Sequence, residues 1–90
     1  MIEAQIEIIN KLGLHARAAA KFIACTGQFG ASCRVGKDPD NLVDGKSIMA
    51  VMMLAAAKGT VLHVCIQGKD EADAWEALKT LINNRFDEGE

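Results

Sequence analysis

Tyrosine is absent from this sequence, proline occurs once, and aromatic residues make up only 4% of it. Stacking platforms for bases need aromatic side chains, so that mode of nucleic-acid binding is excluded. A basic excess is lacking as well. Twelve acids against ten bases leave a formal charge of −2, which gives no electrostatic footprint for a phosphate backbone. Long apolar runs are missing. The longest, residues 48–57, is ten residues, well short of a membrane span, so no membrane insertion is expected. The opening Met1-Ile2-Glu3-Ala4-Gln5 has no basic segment followed by an apolar stretch and does not read as a secretory signal. Three cysteines with no C-x-x-C spacing supply neither a disulfide framework nor a zinc site. Cys25, Cys33 and Cys65 read as reduced thiols in a cytoplasmic protein, with no metal and no cofactor implied.

What is present is an ordinary globular composition, 50% hydrophobic and 24% charged, over 90 residues. That length makes one domain, residues 1–90. Area scaling puts the folded surface at about 5,100 Å² and the buried fraction at about 63%, enough for one modest core. Ile2, Ala4, Ile6 and Ile8 alternate with Glu3, Gln5 and Glu7, the period of a half-buried strand. An Ala-rich stretch over 16–26 favours a helix, and Gly27 stops it. Ala31, Cys33 and Val35 mark a second strand, and 41–43 suffices only for an edge strand. Ser47 precedes the apolar run as an N-cap would, which predicts a helix from 48 to about 57. A strand over 61–67 follows, with His63 on the face opposite Leu62, Val64 and Ile66. A last helix over 70–84 carries Ala74, Trp75, Leu78, Leu81 and Ile82 as its core stripe. Residues 87–90 are expected to fray.

The order is therefore β-α-β-β-α-β-α. Strands with one apolar face predict an α+β fold, with an antiparallel sheet covered on one side by helices and bare on the other.

Chemistry concentrates at His15. It stands where the first helix begins, so the unpaired backbone N–H groups of Ala16, Arg17 and Ala18 point toward its side chain. The helix dipole adds partial positive charge there, and Arg17 adds a permanent one with a bidentate fork. Together they make an anion site around an imidazole. A ring nitrogen beside an oxyanion site is what phosphoryl transfer to histidine requires. No base–nucleophile pair and no carboxylate pair stands elsewhere, which argues against a self-contained hydrolase. Gly45-Lys46-Ser47 is not the end of a P-loop, because position 40 is Asp where that motif needs Gly.

The segment Gly13-Leu14-His15-Ala16-Arg17-Ala18-Ala19 resembles the active-site signature of the HPr family, the histidine-containing phosphocarriers of the bacterial phosphoenolpyruvate-dependent phosphotransferase system. Gly45-Lys46-Ser47-Ile48-Met49-Ala50-Val51-Met52 resembles the regulatory-serine helix of the same family, and Ala57-Lys58-Gly59 with the following strand also fits. Ala18 stands where most members carry Pro, and Ala50 where Gly is frequent. The resemblance implies an open-faced β-sandwich, four antiparallel strands under three helices. It implies that Nδ1 of His15 accepts a phosphoryl group from enzyme I and passes it to an enzyme IIA domain, with Arg17 neutralising it. It further implies regulatory phosphorylation at Ser47 by an HPr kinase/phosphorylase. Leu14, Lys21, Ile48, Met49 and Met52 would dock partners, since Met suits adaptable binding surfaces. A monomeric carrier with no small-molecule substrate of its own is expected, in sugar uptake or nitrogen-related regulation. Asn83-Asn84-Arg85-Phe86-Asp87-Glu88 resembles the ending of proteobacterial members, nitrogen-type ones among them. The rival readings are a ferredoxin-like regulatory or ligand-binding domain and a plain interaction module. Neither has use for His15 at a helix start beside Arg17.

Overall fold

The computed structural model describes all 90 residues. Its four strands are β1 (Ile2–Glu7), β2 (Ser32–Gly36), β3 (Val43–Asp44) and β4 (Val61–Gln67), and its three helices are α1 (Ala16–Thr26), α2 (Ile48–Met53) and α3 (Glu71–Asn83). The sheet runs in the order β1-β4-β2-β3, and every neighbouring pair is antiparallel. The chain's accessible surface is 4982 Å², close to the scaling value.

Register follows the alternation seen in the sequence. Ile2 faces Ile66, Ala4 faces Val64 and Ile6 faces Leu62, so the apolar faces of β1 and β4 fall on one side. Val35 lies opposite Val64 and extends that side into β2. The helices cover it. Ala18, Ala19 and Phe22 of α1, Val51 of α2, and Ala74, Leu78 and Ile82 of α3 complete the core. His63 and Cys65 lie half-buried on the opposite face, where Pro39 and Leu42 of the β2–β3 loop overhang the sheet beside Glu3 and Gln5.

Three expectations are corrected. The helix predicted to reach residue 57 ends at Met53, Leu54 caps it, and Ala55 turns left-handed with φ 50°. Propensity favours continuing through three alanines, but the chain at Gly13 crosses there. A Cβ on Gly13 would lie 2.4 Å from the carbonyl oxygen of Ala56, and Leu14 N donates to that same oxygen at 2.8 Å. That contact ends α2 and seats the segment before α1.

Residues 87–90 are not frayed. Arg85–Asp87 form a left-handed turn, and Phe86 at its centre is fully buried. Trp75 is half-buried rather than core, with the ammonium of Lys79 5.9 Å above its ring.

Candidate functional site

His15 is the N-cap residue of α1, with extended backbone (φ −74°, ψ 179°). Its carbonyl accepts the first intrahelical bond, from Ala19 N at 2.8 Å. Its side chain does not cap the helix, and 28% of it is exposed. The donors of the first turn therefore remain unused by His15. Ala16 and Arg17 are exposed, whereas Ala18 is fully buried against the core. Of the three residues expected to bind an anion through their backbone, only Ala16 and Arg17 thus stand at the surface. Ala18 contributes packing instead. Arg17 takes part in none of the chain's ion pairs, so its guanidinium is free to meet an anion.

The recess around His15 is walled by Lys11, Arg17 and Lys21 on one side of the charge balance and by Asp87, Glu88 and Glu90 on the other. The carboxylate of Glu88 meets Nε2 of His15. Its second oxygen, Oε1, accepts from Nδ2 of Asn10 at 2.9 Å. Burial alone would raise the Glu88 carboxyl. The hydrogen bonds from Asn10 and His15, with the charges of His15 and Lys21, outweigh it and hold the group below the ordinary carboxylate range. Asn10 is itself fully buried, and the same Nδ2 donates to the Gly13 carbonyl at 2.8 Å. One buried amide thus ties the loop before His15 to the carboxylate beside it.

Lys21 is placed at the site but committed. Its Nζ donates to the Phe86 carbonyl at 2.8 Å and lies 3.9 Å from Asp87. Leu14 is only 5% exposed, so it is a core residue and not part of a docking rim. Its apolar side chain packs in the core, and its backbone N–H is bonded to the Ala56 carbonyl.

Ser47 caps α2, its Oγ accepting from Ala50 N at 3.3 Å. The turn before it is held by Thr26, whose Oγ1 donates to the Gly45 carbonyl at 2.8 Å, and by Lys46, whose Nζ donates to the Phe29 carbonyl at 2.8 Å. A six-residue helix lying on a sheet buries one side only, and here that side is Val51. Ile48 (37%), Met49 (71%) and Met52 (41%) reach solvent, as does Met53 (80%), which the sequence reading left out. Patches of this kind mark partner sites. Because Leu14 is bonded to Ala56, the end of this apolar patch adjoins the His15 loop.

Asn10 and Glu88 were not singled out from the sequence. Glu88 is 73 residues from His15, and no local spacing reports such a pairing. The buried Phe86 beside it was the available signal, an aromatic in a segment otherwise rich in charge.

Residues 2–84 match the family model PTS-HPr, described as PTS HPr component phosphorylation site. The chain is 64% identical over 86 residues to the phosphocarrier protein HPr of Pseudomonas aeruginosa, covering 96% of each. It is 57% identical over 90 residues to the phosphocarrier protein HPr of Neisseria meningitidis serogroup B, covering 100% of each. Among solved structures, the crystal structure of HPr from Thermoanaerobacter tengcongensis superposes with a TM-score of 0.91 at 41% identity, covering 98% of both chains.

Proposed function

The chain belongs to the HPr family of phosphocarriers of the phosphotransferase system, and we propose that Nδ1 of His15 takes a phosphoryl group from phosphorylated enzyme I and hands it to an enzyme IIA domain. The observation that carries this reading is the partly exposed imidazole at the start of α1 beside an unpaired Arg17. Phosphoryl transfer needs little beyond an in-line nucleophile and charge stabilisation. His15 supplies the first. The Arg17 fork and the amides of Ala16 and Arg17 supply the second, aimed at oxygens whose charge is redistributed as the P–N bond forms. The recess is open, so a partner's phosphorylated group can approach the ring.

The exposed Ile48, Met49, Met52 and Met53 form the docking surface for both partners. A small adaptable patch suits a carrier that must bind two different proteins in turn and release each. Ser47 at the head of that patch is the regulatory position for an HPr kinase/phosphorylase. A phosphate there is welcome to the helix N-terminus and unwelcome to an apolar interface. The carrier works in the cytoplasm, in sugar uptake or nitrogen-related regulation, and all residues of the transfer site come from one copy of the chain.

The test is incubation with enzyme I and phosphoenolpyruvate, followed by intact mass. The expected product carries one phosphoryl group that is lost in acid, and His15→Ala carries none. A His15→Ala variant that still gains the group refutes the assignment.

A further inference from the structure

Residues 85–90 form a strap laid across the start of α1. Phe86 anchors it in the core, Lys21 holds the Phe86 carbonyl at 2.8 Å, and Lys11 N donates to the Glu90 carbonyl at 3.0 Å. The strap brings one carboxylate to His15, and both of its oxygens are engaged. Oε2 of Glu88 meets Nε2 of His15, while Oε1 accepts from Asn10. Asn10 cannot turn away, since it is fully buried and its Nδ2 also serves the Gly13 carbonyl. An ionised carboxylate only accepts hydrogen bonds. The proton between Glu88 and His15 therefore belongs to Nε2, and the lone pair of the neutral ring lies on Nδ1.

We propose that Glu88 is a positioning residue for the transfer reaction, holding His15 in the tautomer with Nε2 protonated and Nδ1 free to take the phosphoryl group. This rests on the reading of His15 as the acceptor. In the step itself, the bond from phosphorus to its carrier atom on phosphorylated enzyme I breaks, and its electron pair stays with that atom. The Nδ1 lone pair of His15 forms the new P–N bond. The Nε2 proton stays where it is, the His15 ring becomes cationic, and the Glu88 carboxylate faces that cation. Delivery to enzyme IIA is the same step reversed onto a new acceptor. No proton has to leave, which fits a site with no separate base.

Glu88→Gln and Glu88→Ala separate tautomer control from packing. Asn10 donates to Oε1, so in Glu88→Gln it would hold the amide oxygen and turn the amide NH2 toward Nε2. That arrangement asks Nε2 to accept and moves the ring proton to Nδ1, the wrong nitrogen for attack. Glu88→Ala imposes no preference. Ring nitrogen chemical shifts of His15, measured by NMR at a pH where the ring is neutral, should report Nε2–H in the parent and a swing toward Nδ1–H in Glu88→Gln. Initial transfer from phosphorylated enzyme I should be at least about tenfold slower in Glu88→Gln than in the parent, and slower than in Glu88→Ala. A packing role predicts the opposite order, because Gln keeps the shape that Ala removes. Ring shifts and rates common to all three proteins overturn the positioning role alone. A parent that takes no phosphoryl group overturns the acceptor reading, whatever the ring shifts report.

Discussion

Phe86→Ala should open the strap without unfolding the domain. A fully buried Phe truncated to Ala in a rigid site costs about 3–5 kcal/mol through the cavity it leaves. This site is not rigid in that sense. Arg85, Phe86 and Asp87 hold φ of 56°, 53° and 62°, the left-handed region, with no glycine among them. Each such residue costs about 1–2 kcal/mol, so the turn carries roughly 3–6 kcal/mol of strain. Against it stand the burial of Phe86, about 1.5–3 kcal/mol, and the charge-assisted bond from Lys21 to its carbonyl, about 1.5–3 kcal/mol. The two sides nearly balance, and the charge-assisted bond from Asn10 to Glu88, about 1.5–3 kcal/mol, tips them toward closure. Without the ring, the segment relaxes outward instead of enclosing a hole, and the loss is limited to about 1.5–3 kcal/mol. For a domain of this size that lowers Tm by about 6–24 °C. Amide hydrogen exchange at Lys11, Asp87 and Glu88, whose N–H groups bond to Glu90, Asn84 and Arg85, should become fast while β4 stays protected. Transfer should fall to the rate of Glu88→Ala, because the carboxylate leaves with the strap. If those amides keep their protection and the loss reaches about 4–5 kcal/mol, the strap is held by something other than Phe86 and this reasoning fails.

Other perturbations act elsewhere. Arg17→Lys keeps the charge and loses the fork, so transfer should slow in both directions with Tm unchanged, since Arg17 has no partner in the folded chain. Equal rates would mean the backbone amides suffice. Ser47→Ala should lose about 1 kcal/mol of cap energy and be phosphorylated at the parent rate, whereas Ser47→Asp should hold its Tm and react slowly with enzyme I. Paired melting curves and initial rates decide it, and fast transfer in Ser47→Asp would move the docking surface away from α2. Asp70 accepts from Gly30 N at 2.9 Å and Ala31 N at 2.8 Å. The bond from Gly30 is the main reason its carboxyl lies below the ordinary range; burial opposes it, and the bond from Ala31, the residue's own amide and the charge of Lys46 add to it. A folded value below the unfolded one gives stability that is present above about pH 4 and lost as pH falls through the folded value. Asp70→Asn should therefore melt lower at neutral pH and show a flatter acid limb, and an unchanged limb would assign that stability elsewhere.

Local pattern was enough for the sheet and for placing His15 and Arg17 together at the start of α1. Two-residue alternation in β1 and β4 states which side chains face the helices, and pairing can only join those faces. His15 and Arg17 lie two residues apart at a helix start, so the chain's own geometry sets imidazole, guanidinium and free amides together. Ser47 likewise caps α2 from its place in the sequence. What the sequence could not disclose arises from contacts between distant segments. Three alanines favour helix, yet α2 stops because Gly13 presses against Ala56. Leu14 sits inside the signature but packs inward among core residues from distant parts of the chain. The charged ending reads as loose, yet a buried ring and the Lys21 bond together offset a strained turn and carry Glu88 to His15. Propensity and periodicity reach only a few residues along the chain. A hydrogen bond between positions 15 and 88 exists only once the sheet and helices have closed the distance between them.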